Sequence, residues 1–208
     1  MGRSIRLVSP VYLLAGAISW PFVKVGYRLR ARGVENLPEG GFVLAANHTS
    51  NFDPWPLALP LFPRRQVRFM AKSELFNPVL KPILVGGGAF PVRRGENDVQ
   101  AIETAVRLCR EGKLVAMFPE GTRRTKGLRK RFDSRPRSGA ARIALAADVP
   151  LVPAAIRGTD ELLSFPQLKV AYGPPIPVDD LEHLPPRDAA DTATQRLMTE
   201  IQALWEDL

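Results

Sequence analysis

The sequence predicts an α/β fold: one domain with a mixed, substantially parallel central sheet flanked by helices. Short apolar runs bounded by turn residues alternate with segments of helical periodicity, the pattern that builds such sheets. A chain of 208 residues is long enough for one hydrophobic core without staples. Its 45% hydrophobic and 24% charged residues argue against long disorder and against a polytopic membrane protein.

From Leu7 to Val23 the chain carries no charge, although Pro10 and Pro21 interrupt the run. Arg3, Arg6, Lys24, Arg28 and Arg30 flank it, and Tyr12, Trp20 and Phe22 lie within it. Aromatic residues between basic flanks suit the lipid headgroup boundary, so residues 1–33 are expected to form an apolar helical membrane-association segment. Two alternatives stay open: a helix packed on the domain's own core, and a cleaved secretory signal ending near Ala15-Gly16-Ala17. Residues 34–208 then form the globular domain.

Strands are expected over Gly41–Ala46, Val67–Ala71, Leu84–Val92, Leu114–Phe118, Leu151–Ile156 and Leu168–Tyr172. Helices are expected over Pro54–Leu61, Asp98–Glu111 and Gly139–Ala147, with a last one from about Ala189. Asn97 with Gln100 resembles a capping box, Gly112 fits the stop of that helix, and Ser138 can cap the next. Val99, Ile102, Val106 and Cys109 recur at helical spacing, which predicts one buried stripe with the lone cysteine in the core. One cysteine also excludes an internal disulfide framework, and with only two histidines beside it the usual zinc sets cannot be assembled.

A net charge of +8 points to an anionic partner, which nucleic acid, anionic lipid and a phosphorylated substrate satisfy equally. The stretch Arg123–Arg137 is dense in basic residues, with Asp133 alone opposing them. It reads either as a solvated loop or as an anion site.

The chemistry-bearing residues follow the predicted strands, where α/β proteins gather their ligands. Asn47-His48-Thr49-Ser50-Asn51-Phe52-Asp53 places an imidazole at a strand end. His48 and Asp53 would not share a face of a helix, so the chain must bend for them to meet. Such a bend lets the carboxylate hold one ring nitrogen protonated and leaves the other free to take a proton. His183 also has an aspartate, Asp188, at the same spacing, but no strand precedes it and Pro185-Pro186 interrupts it, so that copy reads as a loop coincidence. Gly88-Ala-Phe-Pro-Val-Arg-Arg94 combines a glycine-permitted turn with two guanidiniums suited to phosphate. Phe118-Pro-Glu-Gly-Thr-Arg-Arg124 offers Glu120 and Thr122 as oxygen ligands and Gly121 for close backbone approach. Val152-Pro-Ala-Ala-Ile156 begins within a later strand.

These four segments, in this order, resemble the conserved blocks of the glycerolipid acyltransferase family, most closely its bacterial branch acting on 1-acyl-glycerol-3-phosphate. The resemblance spans about residues 37–158. It implies that residues 34–208 are an acyltransferase domain with His48 as general base and Asp53 as its partner. It further implies Arg94 as ligand of the acceptor's phosphate, with Glu120, Gly121, Thr122 and Arg123 in the acceptor-binding block. The implied reaction moves a fatty acyl group from acyl-CoA or acyl carrier protein to the sn-2 hydroxyl of lysophosphatidate, giving phosphatidate. The implied setting is the cytoplasmic side of the cell membrane, with no cofactor beyond the thioester co-substrate and no nucleic acid.

Two departures stand out. Many relatives carry Phe-Lys-x-Gly between the third and fourth blocks, where this chain has Pro136-Arg-Ser-Gly139. Val92-Arg93 replaces an apolar residue and an acid, which makes the expected pocket more cationic. Both bear on the acceptor, so glycerol-3-phosphate, another lysophospholipid or a glycolipid remain alternatives, beside a non-catalytic module binding an anionic membrane or nucleic acid. No Gly-x-Ser-x-Gly elbow occurs, so direct transfer without an acyl-enzyme is expected.

Overall fold

In the computed structural model, which describes residues 8–93, 99–120 and 136–208, the first described element is helix α1 (Pro10–Pro21), continued by a π-helical turn over Phe22–Gly26. Strands β1 (Arg30–Arg32) and β2 (Phe42–Ala46) follow, then helix α2 (Pro54–Ala58) with a 3₁₀ turn over Leu59–Leu61. Next come β3 (Val67–Lys72), α3 (Lys81–Gly86), β4 (Ala89–Val92), α4 (Val99–Arg110) and β5 (Leu114–Met117). The remainder is α5 (Gly139–Ala147), β6 (Leu151–Arg157), β7 (Lys169–Tyr172) and α6 (Pro186–Glu206).

The strands form one mixed sheet in the order β1-β7-β6-β2-β5-β3-β4. Every pair is parallel except β6 with β7, which run antiparallel with Ala154 opposite Tyr172. All five residues of β2 are buried because the strand lies between β5 and β6 with a core on each face. Phe42, Leu44 and Ala46 join a core with Leu57, Val152 and Tyr172, while Val43 and Ala45 face a second core made with α4, α5 and α6. The two-residue period of a strand feeds both layers, and this is why its sequence reads as continuously apolar.

Residues 84–92 are not one strand. Leu84 and Val85 close helix α3, whose first turn carries Pro82, a position that needs no N–H donor. The chain then reverses at Gly88, where φ is +97° and a Cβ would lie 2.4 Å from the Val67 carbonyl oxygen. Only glycine permits that approach, and it lets Ala89 enter the sheet opposite Phe69. Strand β1, in the segment 1–33, was not expected. It is three exposed residues at a sheet edge, and two of them are arginine.

Helix α4 buries Ala101, Ala105 and Cys109, with Ile102 and Val106 packed at the margin. Val99, expected on the buried stripe, is 61% exposed. Gly112 terminates this region in the left-handed conformation, whereas Ser138 precedes α5 without a side-chain capping bond. Asn97 lies outside the described residues. The Cys109 thiol, 1% exposed, is held protonated by burial, which pushes its pKa up to about 12.

Helix α1 packs along one side of the domain. A Cβ at Gly16 would fall 2.4 Å from the Phe62 ring, the Tyr12 and Phe62 rings meet at a tilt of 45°, and the Ser9 N–H donates to Gln66 Oε1. Its other side leaves Leu14, Ile18 and Trp20 exposed. No helix among the described residues is long and apolar enough to cross a membrane.

Candidate active site

The parallel strands β2, β4, β5 and β6 deliver the motif residues to one edge of the sheet, at their C-terminal ends. Beyond Ala46 the chain leaves β2 through Asn47, whose side-chain amide donates to the Ile156 carbonyl at 2.9 Å and accepts the Ile156 N–H at 2.7 Å. This clamp extends the pairing of β2 with β6 by one side chain and fixes where His48 emerges. A turn closed by the Asp53 N–H on the Ser50 carbonyl then folds Asp53 back toward the strand end.

His48 Nδ1 meets Asp53 Oδ2 at 2.7 Å. Oδ2 also accepts the N–H groups of Thr49 at 2.7 Å and Ser50 at 2.9 Å. Asp53 precedes α2, yet its carboxylate makes no capping bond there, because its lone pairs are committed to the loop before it. With two N–H donors already aimed at it, Oδ2 acts as an acceptor toward Nδ1. The neutral imidazole therefore carries its proton on Nδ1 and its lone pair on Nε2.

Both groups are buried, His48 at 6% and Asp53 at 0% exposure. A carboxylate in such surroundings must be well supplied with donors, and this one is. The Phe118 ring at the end of β5 stacks on the imidazole, with centroids 4.2 Å apart and planes 16° apart. Imidazole, phenyl ring and carboxylate thus hold one geometry from three directions.

His48 lines an open cavity of about 1510 Å³, larger than the usual small-molecule site. Phe69, Met70, Ile102 and Met117 give it apolar walls, while Arg93, Arg137 and Arg142 bring cations to it. The Arg137 N–H is tied to the Pro119 carbonyl at 2.9 Å, so the Pro136–Gly139 stretch lies against the third motif.

The structure thus brings the first three motifs together through His48 with Asp53, through Arg93 at the end of β4, and through Phe118. Glu120 is partly buried just beyond Pro119. Arg94, Gly121, Thr122 and Arg123 lie outside the described residues. The fourth motif supplies β6, and its end grips the loop of the first. His183 and Asp188 are both exposed, on a turn and on the first turn of α6. Phe118 stands within the third motif, but nothing in its sequence context marks it as the partner that stacks on His48. Thr159, whose hydroxyl also reaches Asp53, carried no sequence signal because it stands 106 residues from its partner.

The family model described as acyltransferase matches residues 28–157. The 1-acyl-sn-glycerol-3-phosphate acyltransferase of Bacillus subtilis is 35% identical over 179 residues, covering 84% of this chain and 86% of that protein. A chloroplast protein of the same name from Brassica napus is 30% identical over 156 residues, covering 73% of this chain and 42% of its own length. Among solved structures, the 1-acyl-sn-glycerophosphate acyltransferase PlsC of Thermotoga maritima shares the fold with a TM-score of 0.61 at 23% identity, over 90% of this chain and 79% of that one. With a family model matched across its sheet and a relative aligned over most of its length, this chain belongs to the acyltransferase family.

Proposed function

We propose that this protein is a 1-acylglycerol-3-phosphate acyltransferase, moving a fatty acyl group from a thioester carrier to the sn-2 hydroxyl of lysophosphatidate. The observation that carries the chemistry is the 2.7 Å contact between His48 Nδ1 and a buried carboxylate, on a histidine that opens to the large cavity. The 35% identical relative supports the acceptor.

In this reading His48 Nε2 takes the proton of the acceptor hydroxyl as its oxygen attacks the thioester carbonyl. Asp53 keeps the ring oriented and stabilises the imidazolium that forms. The tetrahedral oxyanion collapses, the C–S bond breaks, and the imidazolium returns its proton to the departing thiolate. The products are the new ester and the free thiol, and the histidine ends neutral. A general base supplies about 10²–10⁴-fold, so positioning of both substrates in the cavity supplies much of the rest.

Arg94 is assigned to the acceptor phosphate, since Val92 and Arg93 before it line the cavity. Glu120, Gly121, Thr122 and Arg123 are assigned to the same acceptor. The donor is acyl-CoA or acyl carrier protein, with no other cofactor.

The site of action is assigned to the cytoplasmic face of a membrane, and exposed apolar side chains on and beside two adjoining helices support contact with lipid. On α1, Leu14 is 64% and Ile18 68% exposed; beside it Val79 is 76% and Ile83 57% exposed. The two helices touch where Val11 packs on Gly86. The test is thioester consumption against a panel of acceptors with both carriers. Consumption is expected to require lysophosphatidate, and equal use of an unphosphorylated acceptor would refute the assignment.

A further inference from the structure

Asp53 is held from its far side by a residue outside the His48 motif. The Thr159 hydroxyl donates to Asp53 Oδ1 at 2.5 Å. With its proton committed there, its oxygen accepts the Thr49 hydroxyl at 2.9 Å, so the bonds run from Thr49 through Thr159 to the carboxylate. Thr159 is 1% and Asp53 0% exposed, so no bulk water competes for this bond.

The backbone is shaped to make it. Strand β6 ends at Arg157, and Gly158, with φ at +96°, turns the chain into the 3₁₀ segment that Thr159 opens. At the same strand end Ile156 is clamped by Asn47. The His48 loop is therefore gripped twice by the end of β6, once through the Asn47 side-chain amide and once through the Asp53 carboxylate.

The division of labour on the carboxylate matters. Oδ2 is the oxygen that meets His48, and the Thr49 and Ser50 N–H groups bind that same oxygen. Those bonds locate Oδ2, and the one loop group near Oδ1, the Thr49 hydroxyl at 3.5 Å, turns its proton to the closer Thr159 oxygen instead. Thr159 fixes Oδ1, and with it the plane of the carboxylate. From this geometry we infer that Thr159 is a positioning residue for acyl transfer, holding Asp53 in the one orientation that presents Oδ2 to His48 Nδ1. The inference rests on the reading of His48 as the base. It assigns to the strand end after Val152–Ile156 a role in orienting the catalytic pair.

The test compares Thr159→Val, Thr159→Ser, Asp53→Asn and the Asp53→Asn/Thr159→Val double variant, each with a thermal melt. Valine keeps the shape and removes the hydroxyl. Thr159→Val is expected to lower kcat by about tenfold or more with acceptor KM nearly unchanged, and serine to recover most of that loss. In the Asp53→Asn background the valine substitution should change kcat by less than about threefold, because the carboxylate it served is gone. A folded Thr159→Val with wild-type kcat, or losses that multiply independently in the double variant, would overturn the proposal while leaving the His48 base intact. A fully active Asp53→Asn would instead overturn the underlying reading, and this proposal with it.

Discussion

Phe118 lies flat against the His48 imidazole, at 4.2 Å between centroids. The contact joins the third motif to the first and confines the ring to the plane in which Nδ1 meets Asp53. Aromatic pairs of this kind contribute about 0.5–1.5 kcal/mol beyond burial, so Phe118→Ala is expected to lower kcat/KM by about 2- to 12-fold. The melting temperature should also fall, because Phe118 packs against the core beneath it. Steady-state kinetics with a melt on the same sample checks both.

Cys109 gives a pH dependence with a definite sign. Burial raises its pKa from the ordinary 9.0 to about 12, so the folded protein holds the thiol neutral where an unfolded chain would ionise it. That favours the folded state below about 9, and the benefit is lost as pH rises toward about 12. Alkaline destabilisation measured by denaturant titration should therefore be smaller in Cys109→Ala than in wild type. The same variant should keep its acyl transfer, and an alkylating reagent at neutral pH should label only unfolded protein. Rapid labelling of the native enzyme with matching loss of activity would show a reactive thiol instead.

Arg94 is the phosphate ligand in the proposed reaction, and charge without shape should not replace it. Hydrogen bonds to charged groups contribute about 1.5–3 kcal/mol, so Arg94→Ala should raise acceptor KM by about 10- to 150-fold and thioester KM much less. Arg94→Lys should also be impaired. Gly88→Ala, which drives a Cβ into the Val67 carbonyl, should lower the melting temperature and disturb acceptor use through the displaced β4. Equal losses for both substrates in Arg94→Ala would remove the phosphate assignment.

The apolar surface shared by α1 and α3 predicts that both helices contact lipid. Removing one large apolar side chain from a buried contact costs about 1.5–3 kcal/mol, so Ile18→Asp and Ile83→Asp should each weaken vesicle binding by about tenfold or more. Sedimentation with anionic vesicles measures this. Loss in Ile18→Asp alone would confine the contact to α1.

Most of the sheet was legible in the sequence because its buried strands are short apolar runs with distinct ends, as at Phe42–Ala46 and Leu151–Arg157. The run from Leu84 to Val92 misled because apolar residues of α3 and β4 adjoin across a glycine turn, and periodicity cannot divide so short a stretch. Arg30–Arg32 was invisible because an edge strand needs no apolar residues. His48 and Asp53 were legible because both stand in one loop after one strand. Thr159 was not, since its partnership depends on β6 lying beside β2. Asp53 before Pro54 also suited a helix cap, and only the geometry shows its oxygens turned to the loop instead.

Two histidines stand five residues before an aspartate, and only one of them is in the site. His48 is buried against Asp53 and Phe118, whereas His183 and Asp188 are exposed. The most direct measurement is acyl transfer by His48→Ala beside His183→Ala, with a thermal melt of each. The account predicts that a folded His48→Ala loses transfer entirely while His183→Ala, exposed at the surface, retains it. Near-wild-type turnover in a folded His48→Ala would contradict the assignment of His48 as the base.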